Sequence, residues 1–361
     1  MMNKYNESNV RIKHKYRYFL KEAKRYSEAS LDAVDKAIAR FEEYTDYKDF
    51  KRFNDHQATA FKKSLVKQKN KQTGKPLSKS TINATLNNLK AFFQWLCREP
   101  GYKSRLEYSD TEYFNLSEKD TRIANTKQVK RVPTLEQVSH VINNMPSSNE
   151  LEMRDRALIA FTILTGTRDK AIASLKLKHV DLANGLIIQD AREVETKFSK
   201  SFETVFFPVG QEIQDIVIEW VNYLRKVLLW GEDDPLFPVT ASGLDDKGNF
   251  CSAGFKKTHW KNADPIRRIF RKGFENAGLS YYNPHSFRDT LVRLGQNLCE
   301  TAEEFKAWSQ NLGHEQVITT LTSYGHVPAE RQRSLISAFS EKHNEEQEDI
   351  RTALKELLKK Y

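Results

Sequence analysis

The sequence predicts a mainly α-helical protein with a small β-sheet, divided into an all-helical first part and a second part of α+β character. Three observations predict it. Apolar residues recur at helical spacing through the first hundred residues, as in Ile82, Leu86, Leu89, Phe93 and Leu96. Two short runs of β-formers, 186–190 and 203–209, flank a polar stretch and read as a hairpin. The chain has 361 residues, the length of two domains at roughly 100–200 residues each.

Taken in order, residues 1–12 read as an N-terminal extension. Helices are expected over 14–26 and 30–44, the second with Ser30 as N-cap and with Leu31, Val34, Ile38 and Phe41 on one face. A third covers 55–69. Lys71 to Ser78 is a polar loop with Gly74 and Pro76. The stripe from Ile82 to Leu96 marks a helix over 79–97, and its regularity marks core packing. Residues 13–116 thus form a small helical domain. Residues 117–132 lack either periodicity and carry five basic residues, which suggests a basic linker. Thr134, with Gln137 three residues later, opens the next helix as a capping box. A second domain spans 133–340. It holds a buried helix over 151–166 ending at Gly166, the hairpin, and helices over 211–229, 264–277, 286–299 and 301–312. A charged tail helix is expected over 341–361, with Ile350, Leu354, Leu357 and Leu358 on one side.

Composition narrows the function. An apolar content of 39% with 11% aromatics builds real cores and excludes wholesale disorder. Cys97, Cys251 and Cys299 are too few for a disulfide framework or a four-cysteine metal site, so a reducing compartment is expected. Apolar runs such as 157–161 fall far short of the ~20 residues of a membrane span, and the first residues lack the apolar stretch of a signal peptide. The net charge is +10. Residues 1–132 hold 29 Lys and Arg against 16 Asp and Glu, a net +13; the remainder holds 29 against 32, a net −3. Residues 61–90 contain eight basic residues and no acidic one. A charge run alone is as readily a solvated face, but this asymmetry points to a polyanion, and hence to nucleic acid.

Zinc-protease, paired-cysteine, phosphate-loop and dinucleotide-binding patterns do not occur, and no cofactor or metal is expected. Four other patterns appear in fixed order. The first is Leu164-Thr-Gly-Thr-Arg168. The second is Thr196-Lys197 ahead of the strand-like 204–208. The third is His285-Ser-Phe-Arg288. The fourth is Leu312-Gly-His314, followed by Tyr324. Together they resemble the tyrosine recombinases, the phage integrase family, over roughly residues 13–340. The resemblance implies a SAM-like core DNA-binding domain followed by the family's catalytic domain, here without an arm-binding domain.

The residue types fit cleavage of a phosphodiester without metal, which needs a nucleophile, neutralised non-bridging oxygens and a proton for the leaving oxygen. Arg168 and Arg288 clamp the phosphoryl oxygens with a charge that does not titrate away. Tyr324 attacks phosphorus and stores the bond as a 3′-phosphotyrosyl link. His285 assists proton transfer, and Lys197 protonates the departing 5′ oxygen. His314, expected at a helix start, hydrogen-bonds the phosphate. Read singly, Arg168 is an ordinary helix-terminal cation, each histidine an ordinary structural one, and Lys197 a solvated hairpin lysine with Lys200 beside it. Only joint order selects them, and only its place after Leu312-Gly-His314 distinguishes Tyr324 from Tyr281 and Tyr282.

One position departs from the family pattern, which has an acidic residue three places after the first arginine. Here that place is Ala171. Asp169 lies nearby, but its spacing puts it on another helical face.

The resemblance further implies double-stranded DNA with inverted-repeat core sites as partner. It implies a homo-tetramer on DNA joined through the C-terminal tail, an accessory directionality factor, and action in a bacterial cytoplasm at the nucleoid. Asn83, Asn87 and Lys90 are candidate groove contacts. The expected function is site-specific recombination of a mobile element. Relaxation of DNA in the manner of a type IB topoisomerase, and non-catalytic DNA binding on the same fold, are the alternatives.

Overall fold

The computed structural model describes residues 5–70, 73–126, 131–196, 200–244, 250–314 and 332–334. The chain divides into two compact units, Met1–Lys127 and Gln128–Tyr361.

The first unit is helical. α1 (Glu7–Tyr18) begins well inside the stretch read as an extension. The Asn6 side chain accepts from the Asn9 N–H at 3.1 Å. Asn9 is fully buried, its Nδ2 donating to Lys48 O (3.0 Å) and its Oδ1 accepting from Phe50 N–H (3.1 Å). The extension reading of residues 1–12 is therefore corrected. A polar first turn hid a helix whose inner face carries Asn9 and Ile12. α1 runs on into one wider turn, Phe19–Ala23. α2 (Glu28–Tyr44) is capped by Ser27, not Ser30, and buries the expected Leu31, Val34, Ile38 and Phe41. α3 (Asp55–Lys67) and α4 (Lys79–Leu96) start on the side chains of Asn54 and Ser78. The core is aromatic: Phe53 stacks on Phe93 at 3.8 Å between centroids, and Phe41 meets Phe61 and Phe93 edge-on at 5.2 Å.

The stretch 117–132 is also corrected. Its first half is a helix, α5 (Glu118–Asn125), capped by Ser117 and tied to α4 through Lys79 Nζ and Asp120 Oδ1 at 2.8 Å. With eight residues and none of them buried, it shows little apolar periodicity to read.

The second unit opens with α6 (Leu135–Asn143) on the expected capping box of Thr134 and Gln137. α7 (Glu150–Thr165) is buried on all sides from Ala157 onward, as a central helix must be, and ends on Gly166 in left-handed conformation. After the short α8 (Asp169–Ile172), three antiparallel strands pair in chain order: β1 (Val180–Asp181), β2 (Leu186–Gln189) and β3 (Phe202–Val205). Leu186 lies opposite Val205 and Gln189 opposite Phe202, which is the expected hairpin. α9 (Gln211–Asn222) follows and continues into a wider turn, Tyr223–Val227. A second hairpin, β4 (Val239–Leu244) with β5 (Phe250–Lys256), was not foreseen. Its strands carry Ala241-Ser-Gly243 and Ser252-Ala-Gly254, residues with little strand preference. The buried Arg154 of α7 secures it, donating to Pro238 O (3.1 Å) and Thr240 Oγ1 (2.8 Å). α10 (Asp264–Asn276), α11 (His285–Leu298) and α12 (Ala302–Asn311) lie close to their expected bounds. The expected tail helix over 341–361 lies outside the described residues.

Candidate active site

The site begins where α7 stops. Helix geometry cannot continue through Gly166, whose φ is +60°. The turn is then locked by its two threonines: Thr167 N–H donates to Thr165 Oγ1 at 3.2 Å, and the two hydroxyls lie 2.9 Å apart. Arg168 follows in extended conformation at the head of α8. Its guanidinium is half-buried, and that burial pushes its pKa down. No hydrogen bond or ion pair reaches it among the described residues.

Arg288 comes from the first turn of α11 and is only 3% exposed. Nη1 donates to Gly166 O, Nη2 to Leu312 O, and Nη2 lies 2.9 Å from His314 Nε2. Its Nε is buried without a hydrogen-bond partner among the described residues. Burial, with the positive charge of Arg168 adding to it, pushes the Arg288 pKa down to about 9, against the pull of Asp289. Two guanidiniums thus stand within electrostatic reach of each other in a largely dry setting. Among the described residues one has no partner and the other has an orphaned N–H. Such an arrangement costs free energy unless an anion completes it.

His314 arrives from the other side. α12 ends in a turn in which Gly313 N–H donates to Gln310 O (2.7 Å) and His314 N–H to Ser309 O (3.1 Å), with Gly313 at φ +67°. This backbone passes so close to β3 that a Cβ on Gly313 would lie 2.6 Å from the Phe202 ring. Asn311 fixes the approach, its Oδ1 accepting from Val205 N–H (2.7 Å) and its Nδ2 donating to Val205 O (2.8 Å). The helix expected to begin at His314 falls outside the described residues; the described part is a helix end.

His285 opens α11, three residues before Arg288, and is exposed. It lines a cleft of ≈ 380 Å³ with Arg131, Tyr281, Tyr282, Asn283 and Asp289. Lys197 and Tyr324 lie outside the described residues. The stem that leads to Lys197 is held in place. Glu195 N–H donates to Ser174 Oγ (2.9 Å), Ala191 N–H donates to Ser201 Oγ (3.0 Å), and Val194 is buried. Of the expected set, the structure brings Arg168, Arg288 and His314 together and puts His285 on the same helix as Arg288. Asn83, Asn87 and Lys90 lie on α4 of the first unit. Asn87 is exposed and Asn83 half-buried, while Lys90 is engaged by Glu112 (2.7 Å) and Asn115 (3.0 Å).

Asp169 does not turn back on Arg168. Its Oδ2 accepts from Nε (3.0 Å) and Nη2 (2.8 Å) of Arg267 on α10. Ala171, at the place of the missing acidic residue, is buried. Sequence reading passed over Asn311 and Arg267. Asn311 carried a faint signal in adjoining the Leu312-Gly-His314 pattern; Arg267 lies 98 residues from its partner and carried none.

Known proteins resemble this chain in sequence and fold. Residues 15–101 match the phage integrase N-terminal SAM-like domain, and residues 131–331 match the phage integrase family. The tyrosine recombinase XerD of Ralstonia nicotianae is 30% identical over 262 residues, covering 71% of this chain and 72% of that protein. The XerC recombinase of Lactobacillus delbrueckii subsp. bulgaricus is 27% identical over 259 residues, covering 71% and 75%. Two solved structures share the fold at a TM-score of 0.59. A lambda integrase(75-356) dimer bound to a COC' core site is 13% identical, covering 89% of this chain and 96% of that one. The XerH site-specific recombinase bound to a palindromic difH substrate is 15% identical, covering 94% and 91%. Among the described residues no helix is long and apolar enough to cross a membrane. With a family match that takes in more than half of its 361 residues, the chain belongs to the phage integrase family, the tyrosine recombinases that break and rejoin DNA.

Proposed function

We propose that this chain exchanges DNA strands at specific sites of a mobile element, by integration, excision or resolution, through a 3′-phosphotyrosyl intermediate. The observation that carries the reading is the pair of half-buried Arg168 and almost wholly buried Arg288, within electrostatic reach of each other and in no ion pair with a carboxylate among the described residues. A scissile phosphate supplies the negative charge and the acceptor oxygens that this pair lacks. In this reading the Tyr324 oxygen attacks phosphorus while Arg168, Arg288 and His314 neutralise the non-bridging oxygens. Lys197 gives a proton to the departing 5′ oxygen, and His285 serves proton transfer at the tyrosine. The phosphotyrosyl bond keeps the energy of the broken link, so attack by the 5′ hydroxyl of a second strand rejoins DNA in reverse order.

The partner is duplex DNA with inverted-repeat core sites, gripped by the basic first unit. Asn87 is the most accessible of the candidate reading residues; Lys90 must leave Glu112 to reach a base. Four protomers assemble on two sites, each passing residues 341–361 to a neighbour, and an accessory factor sets direction. The enzyme works on the nucleoid of a bacterial cytoplasm.

The test is a nicked suicide duplex carrying a site captured covalently from genomic fragments. Wild type forms a denaturant-resistant protein–DNA adduct, and Tyr324→Phe forms none. An adduct that survives Tyr324→Phe overturns the reading. Exchange between two such sites separates recombination from simple relaxation, and deletion of 341–361 is expected to weaken pairing of sites while leaving single-site binding intact.

A further inference from the structure

We infer that Asp169 and Arg267 are positioning residues for Arg168, forming a strap that takes over from the acidic residue absent at position 171. The inference rests on the phosphate-site reading of Arg168. That arginine sits on the turn between α7 and α8, and its own guanidinium is held by no described residue. The next residue is held firmly. Both oxygens of Asp169 are used: Oδ2 takes two N–H groups of Arg267, and Oδ1 takes the Lys170 N–H at 2.9 Å.

The far end of the strap is rigid. α10 buries Ile266, Ile269, Phe270 and Phe274 in the core. Phe270 packs on Phe287 with 5.0 Å between centroids, and Phe287 directly precedes Arg288 on α11. Arg267 therefore ties the Arg168 turn to the same packed layer that carries Arg288. The two arginines must meet one phosphate, so fixing their separation is worth more than the bond itself. Half of the Arg267 side chain is exposed, and an exposed pair adds little stability. Its effect is geometric.

Charge gives a second reason. An unengaged Asp169 carboxylate beside Arg168 would fold in and quench the charge meant for phosphate. Arg267 occupies it instead. Ala171, buried with only a methyl group, contributes nothing to either task.

The test uses the full chain and the nicked duplex captured above. One form has a natural scissile phosphate and one a methylphosphonate, in which a methyl group replaces a charged non-bridging oxygen. Such DNA needs an arginine less. Asp169→Asn and Arg267→Ala are expected to slow single-turnover adduct formation on phosphate DNA about 10- to 100-fold. DNA affinity and thermal midpoint should stay at wild-type values, and the double variant should be no slower than either single one. On methylphosphonate DNA the deficit should narrow, as it should for Arg168→Ala. Wild-type rates for both variants while Arg168→Ala is slow would overturn the strap. So would an equal deficit on both DNAs, which marks a merely structural pair. A wild-type rate for Arg168→Ala itself would instead sink the phosphate-site reading on which the strap depends.

Discussion

Replacing Gly166 with alanine tests the joint between fold and site. The residue sits at φ +60°, and a Cβ there would lie 2.9 Å from both Leu291 Cδ1 and Leu312 Cδ2. The left-handed backbone costs an alanine about 1–2 kcal/mol. Leu291 and Leu312 are fully buried, so neither yields without disturbing the core, and overpacking of this kind costs about 1–3 kcal/mol. The expected loss is about 3 kcal/mol in the second unit. At roughly 2–4 °C per kcal/mol for a unit of this size, its melting transition should fall by about 6–12 °C. The nearest atoms that this Cβ would meet, on Leu291, Leu312 and Phe207, all belong to the second unit, so the transition of the first unit serves as the control in calorimetry of the whole chain. The loss also reaches the chemistry, because Gly166 O and Leu312 O are the two carbonyls that receive Arg288. Adduct formation should slow even at temperatures where the variant is folded. A loss below about 0.5 kcal/mol, within the ordinary effect of a surface substitution, would refute this account of the turn.

Gly295→Ala should push Trp308 off α11, since the new Cβ would lie 2.6 Å from its Nε1; a loss of about 1–3 kcal/mol and a shift in tryptophan emission are expected. Arg288 loses its proton more readily in the folded than in the unfolded chain, its folded pKa being pushed down to about 9. Below that value its buried charge opposes folding, and the opposition fades as pH rises through it. Wild type should therefore gain stability relative to Arg288→Met between about pH 8 and pH 10 in denaturant titrations, and a parallel pH profile would contradict the burial argument. Asn9→Ala leaves Lys48 O and Phe50 N–H without their partner and should destabilise the first unit by about 2–4 kcal/mol. Unchanged unfolding would mean that the residues before Ile12 are an appendage after all.

The parts that could be read from the sequence are those where one helix face decides everything. Leu31 to Phe41 and Ile82 to Leu96 repeat at helical spacing because a single side meets the core, and both helices stand where the spacing puts them. α1 was misplaced because its buried face opens with Asn9, a polar residue whose partners lie about forty residues away. α5 escaped because nothing in it is buried. The β4–β5 hairpin escaped because it is secured by Arg154, and an arginine that donates to a strand leaves no pattern in the strand. The same division holds at the site. Arg168, His285, Arg288 and His314 stood in local patterns tied to turns and helix starts, which sequence order preserves. The residues that orient them, Asn311 against Val205 and Arg267 against Asp169, act across about a hundred positions, and only folding brings them together.

The charge asymmetry acquires a sharper meaning from this geometry. The chain from residue 133 onward carries a net −3, yet it sets the guanidiniums of Arg168, on the turn after α7, and Arg288, on α11, within electrostatic reach of each other. Like charges held near one another in a partly desolvated site repel, and desolvation adds to that cost. Net charge therefore says nothing about this site; local confinement does. A fold tolerates such a pair only if the rest of the unit is stable enough to carry it. The central α7, buried from Ala157 to Thr165, supplies that stability. The basic first unit contributes attraction over distance, which brings any phosphate backbone close. On the proposed reading the arginine pair contributes something different, a local concentration of positive charge that one phosphate in register relieves and that water relieves less well. Binding and chemistry are thus separated along the chain. On that reading the first can be strong and indifferent to position, while the second is completed only when a single phosphodiester enters it.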